Sequence, residues 1–256
     1  MPDFLLKSLV AGIIASFACG LGVLPLAIRN IDLQKHTGIA YSFAGGLMFA
    51  ASVYNLILPG LTLTSTSLGL AETVPVIFGI LLGAVFLWQT NRYLSSERLE
   101  RESWKRFGNK AQILIFIVMC VHSIPEGVAV GVGYASEEVY AGHLGQYIAL
   151  AIAIHNIPEG LAVAVPMRVT GATIHRCFWA AVLTSLPQPI AAVPAGYLSW
   201  LFQPIMPVLM GFAAGAMIFL VILELIPEAL STSSPIRTAW SFTLGFCAMI
   251  LVQVVL

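Results

Sequence analysis

The 256-residue chain is short of charge. Charged residues make up 9% of it, against 59% apolar residues, where a soluble domain carries about 25% charge. A hydrated surface cannot be assembled from so little. Soluble-enzyme, nucleic-acid-binding and disordered architectures are therefore excluded, and the chain reads as an integral membrane protein. Cysteine is also scarce: Cys19, Cys120, Cys177 and Cys247 stand in apolar runs with no CxxC spacing. That pattern argues against a disulfide framework or a zinc knuckle and for small buried hydrophobes. There is no GxxxxGK[ST] phosphate loop and no soluble nucleotide domain, so direct drive by a nucleotide is excluded. No basic stretch precedes the first apolar run, which is expected to be a retained span rather than a removed leader.

Long apolar runs are plentiful. A helix needs about 20 mostly apolar residues to cross the hydrocarbon, and eight segments qualify, at roughly 4–28, 37–59, 73–91, 111–134, 147–167, 176–200, 206–229 and 237–256. The expected fold is all-α: a polytopic bundle of eight transmembrane helices in one domain, 1–256, multi-pass in the cell (inner or plasma) membrane. Basic residues set the orientation. Arg29, Lys35, Arg92, Arg98, Arg101, Lys105, Arg106, Lys110, Arg168, Arg176 and Arg237 fall on one side, 11 of the 12, and Lys7 alone on the other. Both termini are thus expected outside. The one long connection, 92–110, is charged and cytoplasmic. It suits a short solvated helix with Glu97–Arg101 and Glu102–Arg106 at i,i+4 spacing, and no chemistry is assigned to it.

The informative residues are polar ones inside spans. Glu126, Glu159, Glu224 and Glu228 lie there, with His122 and His155, and no lysine or arginine stands mid-span beside them. An ionisable group at the bilayer centre costs on the order of 3 kcal/mol, so the missing positive charge must come from protons or a bound cation. Span four carries His122-Ser123-Ile124-Pro125-Glu126-Gly127, and span five carries His155-Asn156-Ile157-Pro158-Glu159-Gly160. Span seven offers Glu224-Leu225-Ile226-Pro227-Glu228. Each places two potential ligands at i and i+4, one helical turn apart on one face. A single buried His–Glu pair is commonly a structural couple; two copies 33 residues apart, both with the intervening proline, point instead to a shared site. Convergence of His122, Glu126, His155 and Glu159 would supply two imidazoles and two carboxylates, a set suited to zinc and its first-row neighbours. Two carboxylates and one divalent cation sum to zero charge. Glu224 and Glu228, toward the cytoplasmic end of span seven, divide evenly between a pathway role and snorkelling to the interface.

At these residues the sequence resembles the ZIP (Zrt-, Irt-like) family of divalent metal transporters in its short prokaryotic form. The resemblance covers essentially the whole chain and is carried most specifically by the paired H-x-I-P-E-G motifs. It implies uptake of Zn2+, or of Fe, Mn, Co or Cd, toward the cytoplasm. It further implies a 3+2+3 helix arrangement with inverted repeats, an elevator-like movement, and a site made of His122, Glu126, His155 and Glu159. Binuclear members place further ligands at positions that read Ser123, Asn156 and Gln188 here, so one well-formed site is expected with these as auxiliary groups at most. Asn55 stands near an acidic entrance position of some relatives. The implied partners are a divalent metal ion and the lipid bilayer, with no nucleic acid and no nucleotide; a homodimer is an open possibility. A metal exporter of the same architecture is the alternative, since ligands do not encode direction. An intramembrane metalloprotease is disfavoured because both motifs read HxxxE rather than HExxH, and a di-iron oxidase because the order is not ExxH.

Overall fold

The computed structural model describes residues 2–27, 33–62, 69–94, 110–140 and 142–255. Among the described residues there is no strand, and eight helical spans are long and apolar enough to cross a membrane: Asp3–Ala27, Gly38–Thr62, Leu70–Tyr93, Phe116–Tyr140, Leu144–Val165, Ile174–Leu201, Gln203–Thr232 and Pro235–Val252. They are called spans one to eight. The protein is therefore all-α and multi-pass, as the apolar runs imply. Arg29 and residues 95–109, with the expected Glu97–Arg101 and Glu102–Arg106 pairs, lie outside the described residues.

Helix ends depart from the hydropathy boundaries for a simple reason: hydropathy marks the thickness of hydrocarbon, not the end of hydrogen bonding. Span four continues to Tyr140, so Glu137 and Glu138 ride its last turn rather than a loop, and Glu137 Oε1 accepts from the Gln146 amide at 3.2 Å. Proline also reshapes the backbone. Pro59 and Pro227 cannot donate to the carbonyls four residues back, and each follows a widened π-helical segment, Ser52–Ile57 in span two and Val221–Leu225 in span seven. There the Leu58 amide reaches Val53 and the Ile226 amide reaches Val221, five residues back. Asn55 and Glu224 sit in these two wide turns, a place where helices often carry function.

Spans two and seven are the most enclosed, and three and eight the least. Span three lies along seven, two along eight, one along five and four along six; one meets six, two meets seven and four meets five. Spans four and seven, and two and five, also face each other. Exchanging one with six, two with seven, three with eight and four with five leaves this set of pairs unchanged.

Glycine decides how closely the pairs approach. A Cβ on Gly79 would strike the Val208 carbonyl oxygen, and one on Gly215 that of Ile80, locking span three to seven. Gly46 and Gly245 do the same between spans two and eight, against the carbonyls of Phe242 and Phe43. Gly127 meets the Gln188 carbonyl between spans four and six, and Gly160 the Cys19 carbonyl between five and one. All these backbone contacts fall inside one of two groups, spans two, three, seven and eight or spans one, four, five and six. Among the described glycines none meets a backbone of the other group. Exposed aromatics lie at both ends. Trp179, Trp240 and Trp88, the last beneath the Arg92 guanidinium, lie at the basic end, and Tyr197 and Trp200 at the other, as membrane interfaces favour.

Candidate metal centre

Both H-x-I-P-E-G motifs lie on helices that run through their prolines, Lys110–Tyr140 and Leu144–Val169. The four ligand candidates are buried: His122 is 5% exposed, Glu126 1%, His155 0% and Glu159 3%. Glu126, His155 and Glu159 come together, each offering one ligand atom within 4.8 Å of the others. His155 Nε2 stands 3.4 Å from Glu126 Oε1. His122 is set to one side, its Nε2 3.7 Å from Glu224 Oε1 in span seven, and Asn91 Nδ2 of span three donates to that same oxygen at 3.2 Å. Three of the four expected ligands therefore converge, while the fourth faces the neighbouring group of spans.

Several polar atoms at these residues are left without partners. His122 Nδ1, His155 Nδ1, Asn156 Oδ1 and Glu159 Oε1 are buried with no hydrogen-bond partner among the described residues. A buried polar atom without a partner costs about 1–3 kcal/mol, and two neighbouring buried carboxylates repel. One divalent cation at Glu126, His155 and Glu159 would give Glu159 Oε1 a partner and cancel two negative charges, while His122 lies outside that cluster. Ligands bound tetrahedrally at about 2.0–2.2 Å from zinc stand about 3.3–3.6 Å from one another, so three atoms within 4.8 Å of one another need only small side-chain adjustments to share one ion.

A cavity of about 530 Å³ adjoins the cluster, lined among others by Glu159, Met119, Tyr41, Asn91, Glu224 and Glu228. It runs from buried Glu159 past half-buried Glu224 to exposed Glu228. The lining residues lie in the halves of their spans nearer the basic connections of the sequence, so the cavity leads toward that side. Away from the cavity, His122 and Glu126 border Leu87, Ala216, Met217 and Leu220, an apolar wall contributed by spans three and seven.

The auxiliary candidates have other occupations. Span six is broken between Ile174–Thr184 and Pro187–Leu201, because Pro187 and Pro189 bring no amide donors to the carbonyls of Leu183 and Ser185. Ser16 Oγ of span one donates to the Ser185 carbonyl at 2.8 Å. Ser123 Oγ donates to the Thr184 carbonyl at 3.0 Å, sharing its proton with the Met119 carbonyl. Ser123 thus caps the break from span four. Asn156 and Gln188, both wholly buried, bond to one another, Asn156 Nδ2 to Gln188 Oε1 at 3.1 Å. Asn55 is buried in span two and does not line the cavity. Asn91 and Tyr41 were not singled out in the sequence. Asn91 ends an apolar run next to Arg92 and looks like the start of a loop, and only its partner across the bundle distinguishes it.

Comparison with known proteins follows the same lines. Residues 95–253 match the family described as ZIP Zinc transporter. The chain is 32% identical over 225 residues to the zinc transporter GufA of Myxococcus xanthus, covering 86% of this chain and 87% of that protein. It is 34% identical to the zinc transporter ZIPB of Bordetella bronchiseptica, covering 96% of this chain and 81% of that one. It is 37% identical over 155 residues to the zinc transporter ZIP11 of Homo sapiens, covering 59% and 44%. The chain spans 36% of the length of a 35% identical protein of Arabidopsis thaliana and less than half of the human relative. These relatives are named as transporters rather than enzymes. With a family match over more than half its residues, two bacterial relatives aligned over more than four-fifths of their length and eight spans around a buried His/Glu cluster, the chain belongs to the ZIP zinc transporter family.

Proposed function

We propose that this chain is a secondary transporter that carries divalent transition-metal cations, zinc foremost, across the membrane into the cytoplasm by alternating access. The observation that carries the reading is the buried cluster of Glu126, His155 and Glu159 at the head of a cavity that leads to the basic loops. By the excess of lysine and arginine that side is cytoplasmic, with both termini outside, and the conformation described is open inward. Zinc is favoured because the relatives are named for it and because mixed carboxylate and imidazole ligation suits it.

His122 completes a four-ligand site when its ring turns from Glu224 toward Glu126. In the inward-open form Glu224, steadied by Asn91, stands next along the cavity and receives the ion, and Glu228 passes it to water. Asn55, in the matching wide turn of span two, stands on the outer side of the pathway. The close backbone contacts described above support movement as two rigid bodies. Spans one, four, five and six carry the ligands, and spans two, three, seven and eight offer an apolar wall past which they slide. Side-chain contacts between the bodies can be exchanged, whereas glycine-locked backbones within each body cannot part cheaply.

Protein in oriented vesicles, loaded with radioactive zinc on one face or the other, tests this. Inward flux that falls at least tenfold in Glu126→Ala, His155→Ala and Glu159→Ala is expected. Unchanged flux in all three, or flux only outward, refutes the reading.

A further inference from the structure

The polar contacts around Glu126 form a chain that ends on backbone. Glu126 Oε1 faces His155 Nε2 at 3.4 Å, while Glu126 Oε2 accepts from Gln188 Nε2. Gln188 Oε1 accepts from Asn156 Nδ2 at 3.1 Å, and Asn156 Nδ2 also donates to the Ala15 carbonyl of span one at 3.0 Å. The amide orientation of Asn156 is decided by these partners, since the reversed group would set its oxygen against two other acceptors. Gln188 is placed by the break in span six: flanked by Pro187 and Pro189 in the first turn of the second half-helix, its own amide bonds the Ser185 carbonyl at 3.0 Å. That carbonyl is in turn held by Ser16.

We infer that Asn156 and Gln188 are positioning residues, a carboxamide clamp that holds one oxygen of Glu126 and leaves the other for the metal. The inference rests on the metal site proposed above. The Gln188 oxygen faces Asn156 Nδ2, and it is the amide nitrogen, which offers no lone pair to a metal, that faces Glu126. The clamp does two things that a metal ligand there would not. It satisfies a buried carboxylate with a neutral donor, so the site keeps two negative charges and matches one divalent ion. It also ties Glu126 of span four to spans five, six and one, all in the same group of helices, so the ligand geometry travels with the group as a unit. Partners of this kind usually matter 10–100-fold to metal affinity.

The test is a double-mutant cycle read as zinc affinity by calorimetry on the purified, metal-stripped protein, with melting temperature as the check on folding. Gln188→Met keeps the length and removes both polar atoms. We expect zinc affinity to fall about 10–100-fold, with the maximal transport rate at saturating zinc within about twofold of wild type. In a Glu126→Ala background the same change should cost less than about threefold, because the group it orients is gone. Asn156→Ala, one bond further from Glu126, should cost less than Gln188→Met and add little to it. An affinity loss of equal size with and without Glu126 overturns the clamp in favour of direct ligation or general packing. So does unchanged affinity in both Gln188→Met and Asn156→Ala. If Glu126→Ala alone leaves zinc affinity at the wild-type value, the metal site itself is refuted, and the two failures are told apart.

Discussion

Gly160 follows Glu159 and packs against span one with no side chain between. A Cβ added there would lie 2.6 Å from the Cys19 carbonyl carbon, about 1 Å inside ordinary carbon–carbon contact. Both sides of that contact are backbone, so no rotamer change relieves it, and spans one and five must separate by roughly 1 Å. Overpacking of this kind costs about 1–3 kcal/mol, which for a chain of this size lowers the melting temperature by about 2–12 °C. Gly160→Ala is also expected to move Glu159. Metal–oxygen bonds of about 2.0–2.2 Å do not stretch by 1 Å, so zinc affinity should fall about 10–100-fold, or about 1.4–2.8 kcal/mol. Gly215→Ala is the matched control. Its Cβ would strike the Ile80 carbonyl oxygen and lie 2.6 Å from Ile80 Cα, again a backbone contact though a somewhat looser one, between spans three and seven, which carry none of the clustered ligands. It should lower the melting temperature to a similar degree and leave zinc affinity within about twofold. Thermal unfolding and calorimetry on the two variants decide the matter. Equal affinity losses in both, or none in Gly160→Ala, refute the assignment of ligand geometry to one rigid group of spans.

Other expectations follow from the same geometry. Glu224→Gln should slow release of zinc into the interior several-fold while leaving equilibrium affinity within about threefold, as seen by stopped-flow efflux beside calorimetry; a large affinity loss would make Glu224 a ligand of the resting site. Ser123→Ala removes the hydroxyl that caps the Thr184 carbonyl and should cost about 1–3 kcal/mol of stability with zinc affinity unchanged, whereas a ligand role would reverse that pattern. Because ligands bind metal deprotonated, initial uptake should fall as external pH is lowered from about 7 to 5, and a flat profile would count against carboxylate and imidazole ligation. Zinc at a hundred times its dissociation constant should raise stability by about 2.7 kcal/mol, an increment that a thermal melt should no longer show after His155→Ala.

The paired motifs were legible because their logic is local. Ligands at i and i+4 share a helix face whatever surrounds them, and the cost of burying a carboxylate without a lysine or arginine nearby can be read along the chain. His122 shows where that reading stops. Its spacing from Glu126 equals that of His155 from Glu159, yet its ring faces Glu224, because the partner is chosen by the helix that packs opposite and not by the repeat. Ser123, Asn156 and Gln188 show the same limit. Position in a motif does not reveal their bonds to a broken helix and to one another, which packing alone supplies.

Composition and hydropathy alone determined that the chain lies in a membrane, how many times it crosses and which ends of its spans carry the positive charge. These are sums of transfer free energies over neighbouring residues, and neighbours in sequence suffice. Only the tertiary structure decided that Gln188 holds Glu126 from 62 positions away and that Asn91 meets Glu224 across 133. It alone decided that the close glycine contacts fall inside two groups of spans and that the cavity leads to the basic side. Contacts of that kind arise where separate helices cross, and the crossing is set by packing of the whole bundle, which no window of sequence contains.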